Sequence, residues 1–494
     1  MNDRRDLELV LDSGAPIVVI ETTDEGRFLQ LLTELAVARP ASDYRPLFRW
    51  SVTDGLQRLD LVLEPQKHNA APEDVLRHIR AVNKPAIYAL LDFHPFLNDP
   101  MNVRLLKDIA LVAADAKVAV LLIGHRIELP DDLQSLSARF SLRLPNHEER
   151  LEIVNRCVEE YRAQHAGNVR IDAAALDLLV KNLGGLTHAD TEQLARNAIH
   201  DDGAITAIDV PAVMRAKYQL LNRVGILSFE YETVPVADLA GFRNVKVWLQ
   251  QRRSAFGGDL PRGLDRPKGL LLIGVQGCGK SLAAKAAASI FGVPLLRLDF
   301  GTMYNKYYGE TERNLRESLH TAEVMSPCVL WLDEIEKGLA TGNDDSGTSR
   351  RVLAGILTWM SERKSPVFLV ATANDVDDLP SELVRKGRFD ETFFVDLPPP
   401  TSRADILTIH LRKRGLDPGG LDLPQLVDAT DGFSGAEIEQ GIVAALYAAH
   451  ALGRKPQSSH FRAEFEKTRP LSVLMAERVL ALREWARDRT VPAE

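Results

Sequence analysis

The sequence has few cysteines and no long apolar run, and both features restrict the kind of protein it encodes. Its three cysteines, Cys157, Cys278 and Cys328, form no Cys-x-x-Cys pair, so we expect neither a disulfide framework nor a structural zinc site. No run approaches the roughly 18 apolar residues of a transmembrane helix. The first residues lead into no apolar stretch, so we expect no signal peptide. The expected compartment is the reducing, cytoplasmic one, or the plastid stroma if the chain is plastid-encoded.

Basic residues are outnumbered by acidic ones, which argues against a nucleic-acid partner. The chain has 60 lysines and arginines against 69 aspartates and glutamates, a net charge of −9, whereas nucleic-acid binders usually have a basic domain. Of its 494 residues, 45% are hydrophobic and 26% are charged, as in globular proteins. At roughly 100–200 residues per domain, we expect two to four domains.

Short apolar runs alternate with helix-like segments along the chain, a pattern typical of α/β architecture. The helix-like stretches cover 150–222 and 402–451, and the stretch 226–240 resembles a linker between two halves. The runs predicted to form buried parallel strands are 16–21, 86–92 and 118–124 in the first half, and 269–274, 328–333 and 367–373 in the second.

The two halves share short sequence strings in the same order. Ala-Arg-Phe at 138–140 matches Gly-Arg-Phe at 387–389, and 185–193 matches 432–440. The spacings between the strings agree to within a few residues, which indicates a tandem duplication. The alternative is that two unrelated α/β domains share these strings by chance.

A glycine-rich loop in the second half follows an apolar strand and begins a helix. Residues 274–281 read Gly-Val-Gln-Gly-Cys-Gly-Lys-Ser and fit the pattern GxxxxGK[ST]. Glycines let backbone N–H groups surround a phosphate, and the helix N-terminus adds the positive end of its dipole. Lys280 would then reach the β- and γ-phosphates, and Ser281 would bind magnesium. The alternative is a plain glycine turn with a surface lysine. The Cys278 thiol is either a passive small group or, at a helix N-terminus, a reactive one.

Polar residues also follow two other apolar strands. Asp333 and Glu334 come directly after 328–332. At the edge of a buried sheet, Asp333 can hold magnesium through water, and Glu334 can polarise the attacking water. Asn374 ends the next strand, where its amide could orient water beside the γ-phosphate. The alternatives are a solvated strand end for the two acids and a turn former for Asn374.

Together these motifs resemble the AAA family of ATPases, over about 235–490. The resemblance implies that the glycine loop is Walker A, that Asp333 and Glu334 are Walker B, and that Asn374 is sensor 1. It implies ATP and Mg²⁺ as cofactors, with Ser281 and Asp333 as the residues at the metal. The nucleotide-binding residues implied are Asp238, Gly241, Gly274, Val275, Gln276, Gly277, Cys278, Gly279, Lys280, Ser281, Leu282, Gly435 and Ala436.

Two further segments resemble AAA features that act between subunits. Arg385 and Arg388 resemble arginine fingers, which reach the γ-phosphate held by a neighbouring subunit. Lys306, Tyr307 and Tyr308 resemble the central-pore loop of AAA unfoldases, whose aromatic side chains grip an extended polypeptide. The alternative for the two tyrosines is local packing. The catalytic residues implied are therefore Glu334, Asn374, Arg385 and Arg388.

The whole two-part layout resembles the plastid and cyanobacterial AAA proteins called hypothetical chloroplast reading frame forty-six. The first half lacks a GK[ST] motif after the strand 16–21. Asp92 survives at the Walker B position, but Phe93 replaces the catalytic glutamate. We therefore expect a nucleotide-free module used for assembly or partner recognition; the alternative is an unrelated α/β adaptor. The predicted domains are a degenerate AAA-like α/β module (1–222), a linker and adenine-contacting segment (223–240), a large P-loop ATPase subdomain (241–400), and a helical lid with a C-terminal helix (401–494).

The resemblance favours a hexameric, Mg-ATP-driven remodelling motor that pulls on a polypeptide. One alternative is a slow nucleotide switch that binds a partner through its first half without remodelling it. Another is a DNA-linked initiator or loader, which the net charge and the lack of a helix-turn-helix tail disfavour. The sequence names neither the client nor the adaptor.

Overall fold

The structure, a computed structural model, describes most of the chain. The described residues are 3–22, 24–40, 43–61, 69–165, 169–200, 203–206, 208–221, 226–230, 235–257, 263–300, 310–339, 348–385 and 387–494. The predicted pore-loop residues, 306–308, lie outside these ranges. Within the ranges, no helix combines the length and apolar character needed to cross a membrane.

The chain divides into two compact units, each with a large sheet of its own. Unit 1 comprises Met1–His165 and Gly185–Arg196, and unit 2 comprises Ala166–Gly184 and Asn197–Glu494. Part of the helical stretch predicted at 150–222 therefore belongs to unit 2.

Unit 1 is built on a six-stranded sheet. Its strands are β1 (Ile17–Glu21), β2 (Leu47–Ser51), β3 (Gly55–Arg58), β4 (Ala86–Leu91), β5 (Val118–Gly124) and β6 (Ser137–Phe140). They lie in the order β3-β2-β4-β5-β1-β6. All neighbours are parallel except β2 and β3. Every residue of β4 and β5 is buried, as expected where helices cover both faces of a parallel sheet.

Helices cover both faces of the unit 1 sheet. They are α1 (Asp3–Asp12), α2 (Glu25–Ala38), α3 (Pro72–Val82), α4 (Pro100–Ala116) and α5 (Asp131–Gln134). Helix α6 (His147–His165) follows β6 in the chain. On one face, Leu7 of α1 and Phe28 of α2 pack against the strands. On the other face, Val75 of α3 and Leu106 of α4 do so. These two apolar layers form the core of unit 1.

The segment after α6 contains three helices and two short strands. They are β7 (Arg170–Ile171), α7 (Ala173–Asn182), α8 (His188–His200), β8 (Ala204–Ile205) and α9 (Asp209–Leu221). The two strands pair in parallel. The sequence indicated only helices here, because two-residue strands carry no measurable alternation of apolar and polar residues.

Unit 2 contains a seven-stranded sheet. Its strands are β9 (Leu227–Glu230), β10 (Gly269–Gly274), β11 (Leu295–Leu298), β12 (Cys328–Leu332), β13 (Val367–Ala373), β14 (Glu391–Val395) and β15 (Val491–Pro492). Their order is β15-β14-β10-β13-β12-β11-β9. Only β9 runs antiparallel to its neighbour. The stretch predicted as a linker at 226–240 thus contains an edge strand, anchored by the buried side chains of Ile226 and Leu227.

Helices of unit 2 cover its sheet and form a separate helical lid. They are α10 (Arg243–Gly257), α11 (Lys280–Phe291), α12 (Glu310–Val324), α13 (Ile335–Leu339), α14 (Thr348–Glu362), α15 (Ser381–Val384), α16 (Pro400–Lys413), α17 (Leu423–Ala429), α18 (Gly435–Ala451), α19 (Ser458–Lys467), α20 (Leu471–Leu474) and α21 (Ala476–Ala486). One face of the sheet packs on α10 and α11, and the other on α12 and α14. Helices α16 to α19 enclose their own apolar core.

The last residues of the chain return from the lid to the sheet. Arg478 and Arg483 of α21 form ion pairs with Asp375 and Asp396, which follow β13 and β14. Strand β15 then pairs in parallel with β14. The sequence did not predict this strand, since its two residues include a proline, which is found only at sheet edges.

A buried lysine joins three segments of unit 2. Lys217 of α9 is fully buried, and its ammonium group donates hydrogen bonds to the carbonyls of Asn182 (2.9 Å), Gly184 (2.6 Å) and Val324 (2.7 Å). These carbonyls lie at the carboxyl ends of α7 and α12, where helical carbonyls lack partners within the helix. The lysine therefore caps two helices at once.

The two large sheets share one strand order. The series β2-β4-β5-β1-β6 of unit 1 has the same connectivity as β11-β12-β13-β10-β14 of unit 2. An identical order in five consecutive parallel strands supports the tandem duplication inferred from the shared strings. The predicted α/β class, with a P-loop module and a preceding α/β module, is confirmed.

Candidate functional site

The glycine loop lies at the carboxyl end of β10, where its backbone shape requires glycine. Gly274 has a φ of 154°, and a Cβ there would lie 2.0 Å from the carbonyl oxygen of Val395. Gly279, the residue before α11, has a φ of 91°. Non-glycine residues rarely adopt either conformation. The loop therefore has a backbone conformation of the kind that the predicted phosphate cradle requires.

Lys280 is folded into this loop. Its ammonium group donates hydrogen bonds to the carbonyl oxygens of Gly274 (2.7 Å) and Val275 (2.9 Å). The side chain is buried, and burial lowers its pKa to about 8, because a desolvated ammonium ion is costly. The backbone carbonyls thus hold the Lys280 ammonium group in the loop. A charged phosphate would bind this group more strongly than the neutral carbonyls do.

The other loop side chains differ in exposure. Ser281 is half-buried in the first turn of α11, and Leu282 is exposed. Cys278 is buried, and burial raises the pKa of its thiol to about 12. The alternative of a reactive thiol is thus disfavoured, because the thiolate is the reactive form.

Asp333 follows β12 and is held by two side chains that the sequence analysis missed. The Thr372 hydroxyl donates to one carboxylate oxygen (2.7 Å), and Arg297 of β11 donates to the other (3.1 Å). Arg297 also lies over the ring of Trp331, with its guanidinium carbon 4.9 Å from the ring centroid. The carboxylate is therefore oriented from two neighbouring strands. No local motif reveals these contacts, because the strands are far apart in sequence.

Glu334 lies beside Asn374, as predicted for a base and a polar sensor. The Asn374 amide donates to one Glu334 oxygen (3.0 Å), and Lys337 pairs with the other (2.6 Å). The Glu334 backbone has a left-handed φ of 48°, and its N–H donates to the hydroxyl of Thr372. Such strained backbone persists only where surrounding contacts hold it. The glutamate is thus fixed in place at the strand end.

Glu336 is a buried acid that the sequence analysis did not select. One carboxylate oxygen accepts the Asn374 backbone N–H (3.0 Å), and the other, among the described residues, has no hydrogen-bond partner. Burial raises the pKa of this carboxyl group. The sequence did contain a signal for this residue. Glu336 is the third acid in the run Asp-Glu-Ile-Glu at 333–336, directly after the apolar strand. An unpartnered buried oxygen on a carboxyl group that contacts the Asn374 backbone fits a site that receives a polar ligand.

A cavity of about 240 Å³ lies where the adenine contact was predicted. Gly241, Cys278 and Gly435 line it. The backbone N–H of Ala436 donates to the carbonyl of Gly277 (3.1 Å), which joins the lid to the glycine loop. Asp238 does not line the cavity and instead lies near Lys413, 3.8 Å away.

The two predicted arginine fingers lie at the amino ends of the strands, whereas the glycine loop lies at the carboxyl ends. They precede β14, which runs parallel to β10 with Glu391 level with Leu270. At about 3.3 Å per residue, the strand alone separates them from the loop by more than about 13 Å. Arg385 is exposed, and Arg388 donates to the carbonyl of Leu357. Neither arginine can therefore serve the phosphate site of its own chain.

Models of known protein families match three stretches of the chain. The AAA model, the ATPase family associated with various cellular activities, matches 270–397. Two models of SpoVK-like AAA ATPases match 3–142, as an N-terminal domain, and 148–224, as a second domain. The first match contains the glycine loop, the two strand-end acids and Asn374.

Relatives align along the whole chain. The AAA domain-containing protein ycf46 of Pyropia yezoensis is 35% identical over 494 residues, covering 99% of this chain and 98% of that protein. The ycf46 protein of Trieres chinensis is 33% identical over 490 residues, covering 97% and 96%. The chain belongs to the AAA ATPase family. The cell division cycle protein 48 homolog of Archaeoglobus fulgidus is 36% identical over 180 residues, covering 36% of this chain and 24% of that protein.

Membership of the AAA family also bears on the first half. The predicted resemblance to the chloroplast reading frame proteins is confirmed by the two ycf46 alignments. The matches to SpoVK-like AAA ATPases argue against the alternative of an unrelated adaptor.

Among its described residues, unit 1 of this AAA protein has no cradle like that of the glycine loop. Three residues, 22–24, separate β1 from α2, against the five, 275–279, that separate β10 from α11. Asp24 caps α2 by accepting the N–H of Arg27, so a carboxylate occupies the helix end that would face a phosphate. Glu25, the residue after Asp24, is a second acid at this helix end. Burial and the charge of Asp92 raise the pKa of Glu25. Like charges repel phosphate from this position.

The end of β4 in unit 1 bears Asp92, which the sequence placed at the position of Asp333. Asp92 directly follows β4, as Asp333 directly follows β12. Its backbone has a left-handed φ of 46°, a conformation that Glu334 adopts in unit 2 with a φ of 48°. The Asp92 N–H donates to the main-chain carbonyl of Ile123 on the adjacent strand (2.8 Å), whereas the Glu334 N–H donates to the side-chain hydroxyl of Thr372.

Proposed function

We propose that this chain hydrolyses ATP with Mg²⁺ and acts as a protein-remodelling motor in a homo-oligomeric ring, expected to be a hexamer. The observation that carries the proposal is the convergence of four groups at the carboxyl ends of β10, β12 and β13. These are the glycine loop with its buried lysine, the oriented Asp333, the strained Glu334, and Asn374 in contact with Glu334. Whole-chain membership of the AAA family supports it.

The residues present fit a Mg-ATP ligand in shape and chemistry. The loop provides backbone N–H donors, Lys280 provides a cation, and Ser281 and Asp333 provide the oxygen atoms that magnesium prefers. Bound magnesium would neutralise charge that develops on the β- and γ-phosphates. Gly241, Gly435 and the residues around them leave a cavity for the base.

Glu334 is placed to act as the general base. Its carboxylate accepts from Asn374, and an amide in that position can also orient a water molecule. The ion pair with Lys337 must loosen before the carboxylate oxygen that it occupies becomes free to accept a proton. The Arg385 and Arg388 guanidinium groups would stabilise the transition state in the neighbouring subunit, because their position excludes action within one chain.

The proposal of a polypeptide client rests only on the resemblance of residues 306–308 to the pore loop of AAA unfoldases. Tyr307 and its neighbours, outside the described residues, would provide the grip. A polypeptide is preferred to a nucleic acid because the chain has a net charge of −9.

The proposal is tested by hydrolysis and binding measured on the same variant. Glu334→Gln should lower ATP turnover at least about a hundredfold, because a general base contributes 10²–10⁴-fold, and should leave ADP affinity unchanged. Glu362→Gln, the same change at an exposed position at the end of α14, is the control. Wild-type turnover in Glu334→Gln would refute the assigned role, and absence of nucleotide binding by the wild type would refute the ATPase proposal.

A slow nucleotide switch is the second candidate. It is favoured by the ion pairs that occupy Glu334 and Asp333, since both acids must exchange partners before each turnover. An unfolded client should accelerate the turnover of a motor and leave that of a switch unchanged.

A further inference from the structure

Residues 490–494 are built into the wall of unit 2. Strand β15 pairs with β14, and the Ala493 N–H donates to the carbonyl of Phe394 (2.9 Å). The side-chain amide of Asn244, on α10, donates to the main-chain oxygens of Pro492 and Glu494, both at 3.0 Å. Ala493 is buried in the apolar layer between α10 and the sheet. The segment is thus held from both sides.

This anchoring places the Glu494 carboxylate against the predicted adenine contact. A Cβ added to Gly241 would lie 2.5 Å from one carboxylate oxygen of Glu494 and 2.9 Å from the Ser402 hydroxyl. Ser402 donates to the other carboxylate oxygen (3.1 Å), and Arg243 lies 3.5 Å from that oxygen. The carboxylate is therefore fixed in direction and retains acceptor capacity on the Gly241 side.

Glu494 lies on the same cavity as the glycine loop and the lid. Pro492, Ala493 and Glu494 line the space of about 240 Å³ together with Cys278 and Gly435. Much of the remaining lining is apolar, which suits the faces of a purine ring. A purine ring also needs a polar partner at its edge, and the Glu494 carboxylate can provide one.

We propose that Glu494 selects adenine over 6-oxopurines by accepting a hydrogen bond from the exocyclic 6-amino group. An ionised carboxylate only accepts hydrogen bonds. Adenine presents a donor at position 6, whereas guanine and hypoxanthine present a carbonyl oxygen, which a carboxylate repels. This inference rests on the proposed function, because it assigns a specificity residue to the same nucleotide site.

The test compares ADP, GDP and IDP, which bind without hydrolysis. Calorimetry on the full chain should give wild-type dissociation constants for GDP and IDP at least about tenfold above that for ADP, the effect expected for one hydrogen bond to a charged group. IDP lacks the 2-amino group of GDP, so equal rejection of both excludes that group as the cause and assigns the discrimination to the edge of the base formed by positions 1 and 6.

Glu494→Gln is the decisive variant. A glutamine amide can present either its oxygen or its N–H group, so GDP and IDP should bind more tightly and the preference for ADP should fall below about threefold. A gain in affinity cannot result from damage to the fold. Glu484→Gln, the same change at an exposed position on α21, should keep the wild-type preference.

Two results would overturn the inference and leave the proposed function intact. One is a Glu494→Gln preference equal to that of the wild type. The other is an equal loss of affinity for all three diphosphates, which would mark Glu494 as a structural group. A wild-type protein that binds none of the three would overturn the proposed function together with the inference.

Discussion

Burial dominates the chemistry of individual residues in the glycine loop. The same cradle lowers the pKa of Lys280 to about 8 and raises that of Cys278 to about 12. Both shifts favour the uncharged form, as expected for groups removed from water. A phosphate replaces the lost solvation for the lysine but not for the thiol, so only Lys280 should respond to the ligand.

Nucleotide binding should therefore take up a proton in alkaline solution. The pKa of free Lys280 is about 8, and bound phosphates favour the ammonium form and raise it. Uptake should be small at pH 7 and approach one proton per site at about pH 9, with affinity falling as the pH rises above 8. Calorimetry in buffers of different ionisation enthalpy measures this. Lys280→Arg, which stays charged, should show no uptake; uptake independent of pH in the wild type would contradict the argument.

Sequence reasoning located the residues of the site that lie within one motif. The loop 274–281, Asp333, Glu334 and Asn374 each follow a recognisable apolar strand, and parallel strands bring their carboxyl ends together. Arg297 and Thr372 were missed because they contact Asp333 from neighbouring strands. Short sequence patterns do not predict which strands of a sheet are neighbours.

At the scale of elements, the lysine that caps α7 and α12 should carry a large share of local stability. Lys217→Met keeps the apolar stem but removes the donor from one buried and two partly buried carbonyls. We expect a loss of about 3 kcal/mol in the free energy of unfolding, since unpaired buried groups cost 1–3 kcal/mol each and partly relax. Urea denaturation measures this. Lys181→Met, at an exposed ion pair on α7, should cost less than about 1 kcal/mol; equal effects of the two substitutions would contradict the role of Lys217.

The short loop between β1 and α2 predicts one nucleotide per chain. Equilibrium binding of ADP should saturate at one equivalent, and Lys280→Ala should remove the saturable binding. A second equivalent, or one that survives in Lys280→Ala, would show that unit 1 binds nucleotide despite the carboxylate at the start of α2.

The fold of unit 1 was predictable where buried strands gave continuous apolar runs. The other strands were not predicted, because pairing partners rather than composition define them. They are β2, β3 and β6 in unit 1, and β7, β8, β9, β11, β14 and β15 in unit 2.

At the scale of the whole molecule, the fingers should act between chains. Arg385→Ala and Glu334→Gln samples should each be nearly inactive, since an arginine finger contributes 10³–10⁵-fold. Mixed before assembly in equal amounts, they should regain turnover at about a quarter of the sites, where an intact Glu334 meets an intact Arg385 of a neighbour. Arg385 is used because Arg388 also binds α14. A mixture as inactive as its components would contradict action between subunits.

The contact between Arg297 and Asp333 has a consequence for the order in which the site fills. An aspartate already neutralised by an internal guanidinium attracts a free divalent ion only weakly. The triphosphate brings enough negative charge to compete with the arginine, so the metal should arrive with the nucleotide and not before it. We therefore expect the nucleotide-free protein to bind free divalent ions, transition metals included, only weakly.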